Sequence, residues 1–236
     1  MVKKHLFLLV LLTFINVNVL AQGEKNQFDA DGKRHGLWKK NFQNTTQPRY
    51  EGQFNHGKEV GLFKFYKLIR KRSVLSATKY FQQDGTAKVK FLSSKGKIIS
   101  EGQMKGKLYI GAWKYYHKNS NTIMTLETYN TSGELIGERK VFYKDGLVAE
   151  IVNYKNGQLE GTSKYYANNG TLVKSYVYVN GQLNGPSKHY DSEGRITVEG
   201  PYKNGKKHSV WKYYSNGKLI KTKDFTIYSK NPYKQY

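Results

Sequence analysis

The 236-residue sequence predicts an all-β fold: an elongated, single-layer antiparallel β-sheet built from tandem β-hairpin repeats of about 24 residues. Three observations predict it. Turn-forming dipeptides recur every 11 to 13 residues through the second half of the chain, a second glycine series sets a longer period, and lysines and aromatic residues return at fixed distances from those glycines. Because one such unit cannot bury an apolar face alone, we expect neighbouring hairpins to stack.

The spacing of the turns limits the length of every element. Asn-Gly and Asp-Gly are strong hairpin signals, since a type I′ turn needs positive φ at both central residues. About eight to ten residues remain between successive turns, which suits strands and is too short for packed helices. The turn dipeptides are Asp145-Gly146, Asn156-Gly157, Asn169-Gly170, Asn180-Gly181, Glu193-Gly194, Asn204-Gly205 and Asn216-Gly217.

A second glycine series aligns seven copies of the repeat. Its members, the repeat-start positions, are Gly36, Gly61, Gly111, Gly137, Gly161, Gly185 and Ser209. Three residues after each start stands the lysine column: Lys39, Lys64, Lys114, Lys140, Lys164, Lys188 and Lys212. Two residues after four of them stands the ring column, Trp38, Phe63, Trp113 and Trp211, which becomes Arg139, Ser163 and Ser187 in the other copies. Five residues after most of them stands the tyrosine column: Tyr66, Tyr116, Tyr166, Tyr190 and Tyr214.

Strand alternation assigns these columns to the two faces of the sheet. Between Gly111 and Tyr116, a period of two places Trp113 on one face and Lys114 with Tyr116 on the other. Equivalent positions in successive repeats lie two strands apart, about 9.6 Å. The aromatic columns are therefore candidates for binding or for structural packing across the strands. We also expect the bare backbone at the repeat-start glycines to leave room for a neighbouring ring.

The chain divides into four predicted segments. Residues 1–21 predict a signal peptide, because Lys3 and Lys4 precede an apolar run that starts at Leu6, and Ala21 offers a cleavage site. The run is shorter than the roughly twenty residues of a membrane-spanning helix, and we expect no transmembrane segment after cleavage. Residues 22–30 are predicted to be an N-terminal linker, 31–228 the repeat domain and 229–236 a C-terminal tail. The predicted location is exported, in the periplasm, the cell envelope or the medium.

The middle of the chain departs from the pattern. Gly61 and Gly111 are 50 residues apart, about two repeats, yet residues 67–72 and 74–78 contain no turn glycine. We expect the basic run at 67–72 to form a lengthened hairpin tip or an irregular loop. With two degenerate units there, the sequence predicts about twelve to fourteen strands of the usual length.

One phrase of the repeat carries a family resemblance. It runs Trp211-Lys212-Tyr213-Tyr214-Ser215-Asn216-Gly217, and related phrases occupy residues 154–161 and 178–185. It resembles the bacterial variant of the MORN repeat, over about residues 31–225. The resemblance implies an elongated antiparallel sheet of hairpins and a role in protein scaffolding or close to membranes. Many bacterial members carry an inferred antitoxin name, which the resemblance extends to this chain as a hypothesis.

The residue inventory disfavours catalysis. The chain has no cysteine, which excludes disulfides, thiolate metal sites and cysteine nucleophiles. No histidine stands in a metal-binding or hydrolase phrase, and His189 occupies a position that is tyrosine in other copies, so we expect it to pack as an aromatic ring. The repeated Glu51, Glu101 and Glu199 are expected to pair with lysines on neighbouring strands. We therefore predict no enzyme activity, no cofactor and no metal.

The net charge of +23 and the lysine column allow a basic strip that meets anionic lipid head groups, acidic glycans or an acidic protein. The leading hypothesis is an exported, non-catalytic binding or scaffold module for a protein partner or an anionic component of the envelope. In the alternative interpretation, the lysines only keep the sheet soluble. Nucleic acid is not expected as a partner. Two other functions stay open: an antitoxin or immunity protein that neutralises a toxin, and a binder of cell-wall glycans or choline-type ligands through aromatic cages.

Overall fold

The computed structural model describes residues 24–226, which form one antiparallel sheet of 20 strands and contain no helix. The predicted signal peptide at 1–21 and the predicted tail at 229–236 lie outside the described residues. The strands are β1 (Gln27–Phe28), β2 (Arg34–Asn41), β3 (Pro48–Asn55), β4 (Lys58–Ile69), β5 (Arg72–Phe81), β6 (Thr86–Leu92), β7 (Ile98–Lys105), β8 (Leu108–Tyr116), β9 (Ile123–Tyr129), β10 (Gly137–Phe142), β11 (Val148–Lys155), β12 (Gln158–Leu159), β13 (Gly161–Tyr166), β14 (Leu172–Val179), β15 (Gln182–Leu183), β16 (Gly185–Tyr190), β17 (Ile196–Lys203), β18 (Lys206–Lys207), β19 (Val210–Ser215) and β20 (Lys218–Asp224).

The sheet follows the order of the chain. Successive strands pair as hairpins, and the described sheet is open, with β1 and β20 at its two edges. The two-residue strands β12, β15 and β18 each pair with the same neighbour as the strand that follows them, so each is the first part of one bent strand. The predicted fold class is confirmed. The strand number exceeds the twelve to fourteen expected, because three strands are each divided in two by a bend, β1 adds one, and the degenerate stretch between Gly61 and Gly111 forms complete hairpins.

The basic run at residues 67–72 forms the tip of the long β4–β5 hairpin. Register pairs continue to Ile69 opposite Arg72, and the turn residues Arg70 and Lys71 have φ of 47° and 64°. This is the backbone of a type I′ turn made without glycine or asparagine, which costs energy because left-handed φ is strained for residues with a Cβ. The prediction of a lengthened hairpin tip is confirmed.

The turns are of two kinds, whereas the sequence predicted one. Asn156 and Gly157 both have positive φ, as a two-residue type I′ turn requires. At Asp145-Gly146 only the glycine has positive φ, and a longer loop closes by hydrogen bonds from Gly146 N–H to Tyr143 C=O and from Tyr143 N–H to Leu147 C=O. The turns at Asn169-Gly170 and Glu193-Gly194 match this wider form. A type I turn followed by a left-handed glycine explains the alternation of 11-residue and 13-residue spacings.

The predicted N-terminal linker at residues 22–30 contains a strand. Gln27 and Phe28 form β1 and pair with β2, and the Phe28 ring packs edge-on against the Trp38 indole with centroids 5.1 Å apart. The pairing provides β2 with a neighbour on its outer side, so the repeat sheet begins earlier than the sequence suggested.

The strands bend at the repeat-start positions. All six glycines there have positive φ, and Ser209 adopts 57° in the seventh copy. The bend at Gly111 folds the strand so that the residue two positions before this repeat start lies over the residue two positions after it. The Tyr109 ring thus stacks on the Trp113 indole with centroids 3.8 Å apart. The Lys207 ammonium lies 4.0 Å from the Trp211 ring centroid by the same geometry. The hairpin tips thus cover one face of the sheet, which we call the covered face.

The buried side chains collect on the covered face. Trp113 and Trp211 are fully buried, and Phe63, Val89 and Val152 are almost so. These positions form one line across the strands, through pairs such as Val89 with Gly102 and Arg139 with Val152. The opposite face carries the lysine column, and we call it the open face.

Candidate binding face

The lysine column forms one continuous line across the open face. Each lysine pairs in register with one residue on the intervening strand, and that residue pairs with the next lysine. Lys90, which is not in the predicted column, fills the degenerate repeat between Lys64 and Lys114. The line runs Lys39, Glu51, Lys64, Thr78, Lys90, Glu101, Lys114, Leu126, Lys140, Ile151, Lys164, Ser175, Lys188, Glu199 and Lys212.

Carboxylates stand between lysines at both ends of this line. Glu51 lies 3.3 Å from the Lys64 ammonium, and Glu101 lies 3.6 Å from that of Lys90. At the other end Glu199 pairs in register with Lys188 and Lys212. These contacts match the expected partnership of the repeated glutamates with lysines. Because the ion pairs are solvent-exposed, each contributes little stability, about 0 to 1 kcal/mol.

The middle of the line has no carboxylate between its lysines. Leu126 separates Lys114 from Lys140, and the register partners of Lys164 are Ile151 and Ser175. Lys140 is paired along its own strand with Glu138, at 2.7 Å. The centre of the open face therefore presents positive charge beside apolar and small side chains.

The tyrosine column holds the glutamates in place. The hydroxyls of Tyr66, Tyr116 and Tyr214 donate hydrogen bonds to Glu51, Glu101 and Glu199 at 2.6, 2.5 and 2.7 Å. The bond from Tyr66, followed by the nearby Lys64, lowers the pKa of Glu51. Partial burial and the glutamate raise the pKa of Tyr66 to about 12, and the bond to Glu101 with partial burial does the same for Tyr116. Tyr166 and Tyr190 are half-buried further along the column.

Open clefts lie along the lysine column. One cleft, of about 830 Å³, is lined by Leu62, Tyr80, Lys88, Lys90, Glu101 and Lys114 among others. A second cleft of about 440 Å³ shares Leu62 and continues past Lys64 to Lys39. Leu62 and Tyr80 are about half exposed, at 51% and 54%. The open face thus combines cationic heads with exposed apolar surface, a mixture that suits a protein chain carrying acidic and apolar side chains.

The ring column points to the covered face, away from this surface. Phe63, Trp113 and Trp211 are buried, and Trp38 is half-buried beneath the Arg34 guanidinium, 5.5 Å from its ring. An aromatic cage does form around Trp211, but its occupant is the chain's own Lys207. The indole rings therefore contact other parts of this chain.

The glycine that accommodates each ring is not the predicted one. A Cβ added at Gly52, Gly102 or Gly200 would overlap the ring of Phe63, Trp113 or Trp211 on the next strand, whereas around the repeat-start Gly36 and Gly61 the space is open. The sequence signal was present in the repeated Glu-Gly phrase. Where the next strand has a serine instead, the equivalent glycine is replaced by Val152 or Tyr176.

Two of the buried serines, Ser163 and Ser187, occupy positions of the ring column where other copies have an aromatic ring. Ser163 pairs with Tyr176, and Ser187 pairs with Gly200, and both serines are almost fully buried. Their hydroxyl oxygens have no hydrogen-bond partner. His189 packs beside Tyr176, with ring centroids 5.7 Å apart, and burial, followed by Lys174, lowers the pKa of His189. His189 therefore behaves as the aromatic residue predicted from its position.

One cluster of candidate metal ligands went unnoticed in the sequence. Asp29, His35 and His56 bring their ligand atoms within 4.8 Å of one another. They lie apart along the chain and follow no metal-binding phrase. Only the pairing of the first two hairpins brings them together, and the register of those hairpins was the missing information.

Comparison with known proteins identifies the repeat unit. The family model described as the MORN repeat variant matches residues 135–156, 159–180 and 183–204. MORN repeats are in general non-catalytic and are associated with binding and scaffold roles. No curated protein matches the chain.

Among solved structures, the chain is similar to a mutant of S. aureus TarM in complex with fondaparinux, α-GlcNAc-glycerol and UDP, at 17% sequence identity and a TM-score of 0.20. The match covers 52% of this chain and 19% of that one, so the chain spans about a fifth of that structure's length. A likeness of this size carries no argument about fold or function.

The described residues contain no helix with the length and apolarity needed to cross a membrane. They do contain one hairpin unit repeated in register from β2 to β20. Three consecutive copies of that unit match the family model. Residues 135–204 therefore match three tandem repeats of the MORN variant.

Proposed function

We propose that this protein is a non-catalytic binding module whose lysine column docks an acidic protein partner. The observation that carries the proposal is the continuous line of lysines across the open face, with its unpaired centre at Lys164. The binding and scaffold roles generally associated with MORN repeats agree with it.

The clefts favour a protein over a lipid surface as the partner. Leu37 and Leu62 are about half exposed beside Lys39 and Lys64, in clefts that can receive side chains. The head groups of a bilayer would meet the lysine heads but would leave these apolar walls uncovered. An acidic segment with interspersed apolar residues would use both kinds of contact.

Electrostatics would guide the encounter. The formal charge of +23 attracts acidic molecules at long range, and the attraction weakens as salt shortens the Debye length. Under this proposal the repeated hairpin supplies a rigid backbone ladder, and the lysine column supplies charges at intervals of about 9.6 Å. Export, as predicted from residues 1–21, would place this partner in the cell envelope or the medium.

The experiment is a pull-down from envelope extract at low and at raised salt, with three forms of the chain. The first is the unaltered chain and the second carries Lys140→Gln with Lys164→Gln. The third carries Lys95→Gln with Lys144→Gln, which removes the same charge at exposed hairpin tips. The proposal predicts an acidic protein retained by the first and third forms and lost by the second.

Two results would overturn the proposal. One is equal retention by all three forms, since the lysine column would then be only a solubilising feature. The other is recovery of anionic lipid or glycan without protein. A captured toxin would support protein docking and would make the module an immunity protein.

A further inference from the structure

The N-terminal end of the sheet brings together three side chains that suit a metal ion. Asp29 lies in the turn between β1 and β2, His35 lies in β2, and His56 lies in the turn between β3 and β4. Their ligand atoms all lie within 4.8 Å of one another. Neither the lysine column nor the covered face uses these residues.

The backbone fixes the two histidines as neighbours. Gly57 N–H donates a hydrogen bond of 2.8 Å to Arg34 C=O, and His56 and His35 adjoin these two residues in sequence. The imidazole rings consequently lie side by side, with centroids 4.9 Å apart and planes tilted by 52°. The tip of the β3–β4 hairpin is thus held against β2 independently of the side chains.

Asp29 is oriented by its own turn. Its Oδ1 accepts hydrogen bonds from the N–H groups of Asp31 and Lys33, at 3.0 and 2.8 Å. Its Oδ2 is left to face His56 Nδ1, at 2.7 Å. The backbone bond from Lys33, with help from His56, lowers the pKa of Asp29, so the carboxylate stays charged. The side chain is only 10% exposed, while that of His56 is 63% exposed, so the cluster opens to solvent on the histidine side.

We propose that Asp29, His35 and His56 form a binding site for a divalent transition metal ion, with Zn²⁺ as the best fit. Two imidazole nitrogens and one carboxylate oxygen are ligands that Zn²⁺ prefers, and they leave a fourth tetrahedral position for water or a partner's side chain. The turn hydrogen bonds to Asp29 Oδ1 act as the outer contacts that orient a ligating carboxylate.

The geometry requires only small movements. Ligand atoms around a tetrahedral zinc ion lie about 3.4 Å apart, given metal–ligand distances of about 2.0 to 2.1 Å. The ion would replace the direct hydrogen bond between His56 and Asp29 and draw His35 inward. The closest lysine in this turn, Lys33, has its ammonium 3.3 Å from Asp31, which reduces its repulsion of a cation.

A bound ion would link the first two hairpins where the sheet begins. The β1 strand contributes only two residue pairs to β2. Coordination would tie its turn to the tip of the next hairpin and so close this end of the sheet. The absence of cysteine means that no thiolate competes for the metal.

The test is a calorimetric titration of the untagged full chain with Zn²⁺, together with the visible spectrum of the Co²⁺ form. We expect one site, and at least a tenfold loss of affinity in each of His35→Ala, His56→Ala and Asp29→Asn. His208→Ala is the matched control, because this histidine lies outside the cluster, and it should bind as the unaltered chain does. Circular dichroism of each variant checks that the sheet is retained.

Absence of a one-to-one site, or unchanged affinity in the His35→Ala and His56→Ala variants, would overturn the proposal. An octahedral rather than tetrahedral Co²⁺ spectrum would also contradict the proposed four-coordinate site, because it would indicate additional solvent ligands on the ion. The result is independent of the lysine column, so the binding function and the metal site can fail separately.

Discussion

The indole of Trp113 lies directly against the backbone of Gly102 on the neighbouring strand, in space that a Cβ would occupy. The Trp113 Nε1–H donates a hydrogen bond of 3.0 Å to Gln103 C=O, which fixes the ring over that glycine. Trp211 repeats the arrangement on Gly200, with its own bond of 3.1 Å to Pro201 C=O. Large and small residues therefore alternate across strands to fill the covered face at constant thickness.

Exchanging the large residue Trp113 and the small residue Gly102 in size should show how far stability depends on their fit. Gly102→Val alone should destabilise the chain by about 1 to 3 kcal/mol or more, because the added methyl groups displace the indole. Trp113→Ser alone should cost about 3 to 5 kcal/mol through the cavity it leaves. The double variant reproduces the natural pair of Val152 and Ser163, and it should be more stable than the sum predicts by at least about 1 kcal/mol. Denaturant unfolding measures all three.

A substitution on the open face provides the control for this cycle. Ala112→Val adds the same kind of bulk beside Trp113 but on an exposed position, and it should change stability by less than about 0.5 kcal/mol. Strict additivity of Gly102→Val and Trp113→Ser would show that the two positions do not share one space.

The cover over Trp211 should depend on the length of the side chain at position 207. Lys207→Ala removes an ammonium that lies 4.0 Å from the indole centroid and should cost about 1 to 2 kcal/mol. Lys207→Leu should cost less, because leucine occupies the equivalent positions 135, 159 and 183 and still covers the face. Unfolding curves, with acrylamide quenching of tryptophan fluorescence, test the order. Equal stability of the two variants and the unaltered chain would contradict it.

Alkaline pH should weaken the hydrogen bonds between tyrosines and glutamates. The folded state raises the pKa of Tyr66 from 10.0 to about 12, so the neutral phenol is favoured by folding. Its contribution is fully present below the unfolded pKa of about 10 and is lost as pH rises through about 12. The free energy of unfolding should therefore fall across this window, and less steeply in Tyr66→Phe. Identical slopes in the two proteins would show that Tyr66 does not contribute.

Much of the fold could be predicted because each hairpin is specified by residues that lie close together in the sequence. Asn156-Gly157 specifies its own turn, and a strand period of two assigns Trp113 and Lys114 to opposite faces without knowledge of the rest of the chain. Turn dipeptides and strand alternation do not specify how far a strand bends or which side chains the bend covers. The burial of Trp113 depends on the bend at Gly111, which places Tyr109 on the indole. A regular alternation of two residues predicts straight strands and does not predict this bend.

In the candidate sites, too, the features set by the repeat could be predicted, and those set by contacts between strands and hairpins could not. The lysine column follows from the repeat alone, since equal spacing along the chain becomes equal spacing across the sheet. Lys90 was missed because its repeat lacks the start glycine, and only the register with Thr78 and Glu101 places it in the line. The cluster at His35 and His56 depends on contacts between two hairpins, which no spacing of residues in one hairpin reveals.

The binding function is tested most directly with a designed acidic peptide. A polyproline II chain has three residues per turn and advances about 3.1 Å per residue, so glutamates at every third position would lie on one face about 9.3 Å apart and match lysines about 9.6 Å apart. We would measure by calorimetry, at several salt concentrations, the affinity of a glutamate–leucine–serine repeat peptide and of a peptide with the same composition in blocks.

We expect tighter binding of the period-three peptide than of the block peptide. This binding should weaken with salt and be lost in the Lys140→Gln, Lys164→Gln variant but not in the Lys95→Gln, Lys144→Gln control. Equal affinity for both peptides, or equal loss in both variants, would contradict the lysine column as an ordered docking site and leave its charge as a solubilising feature.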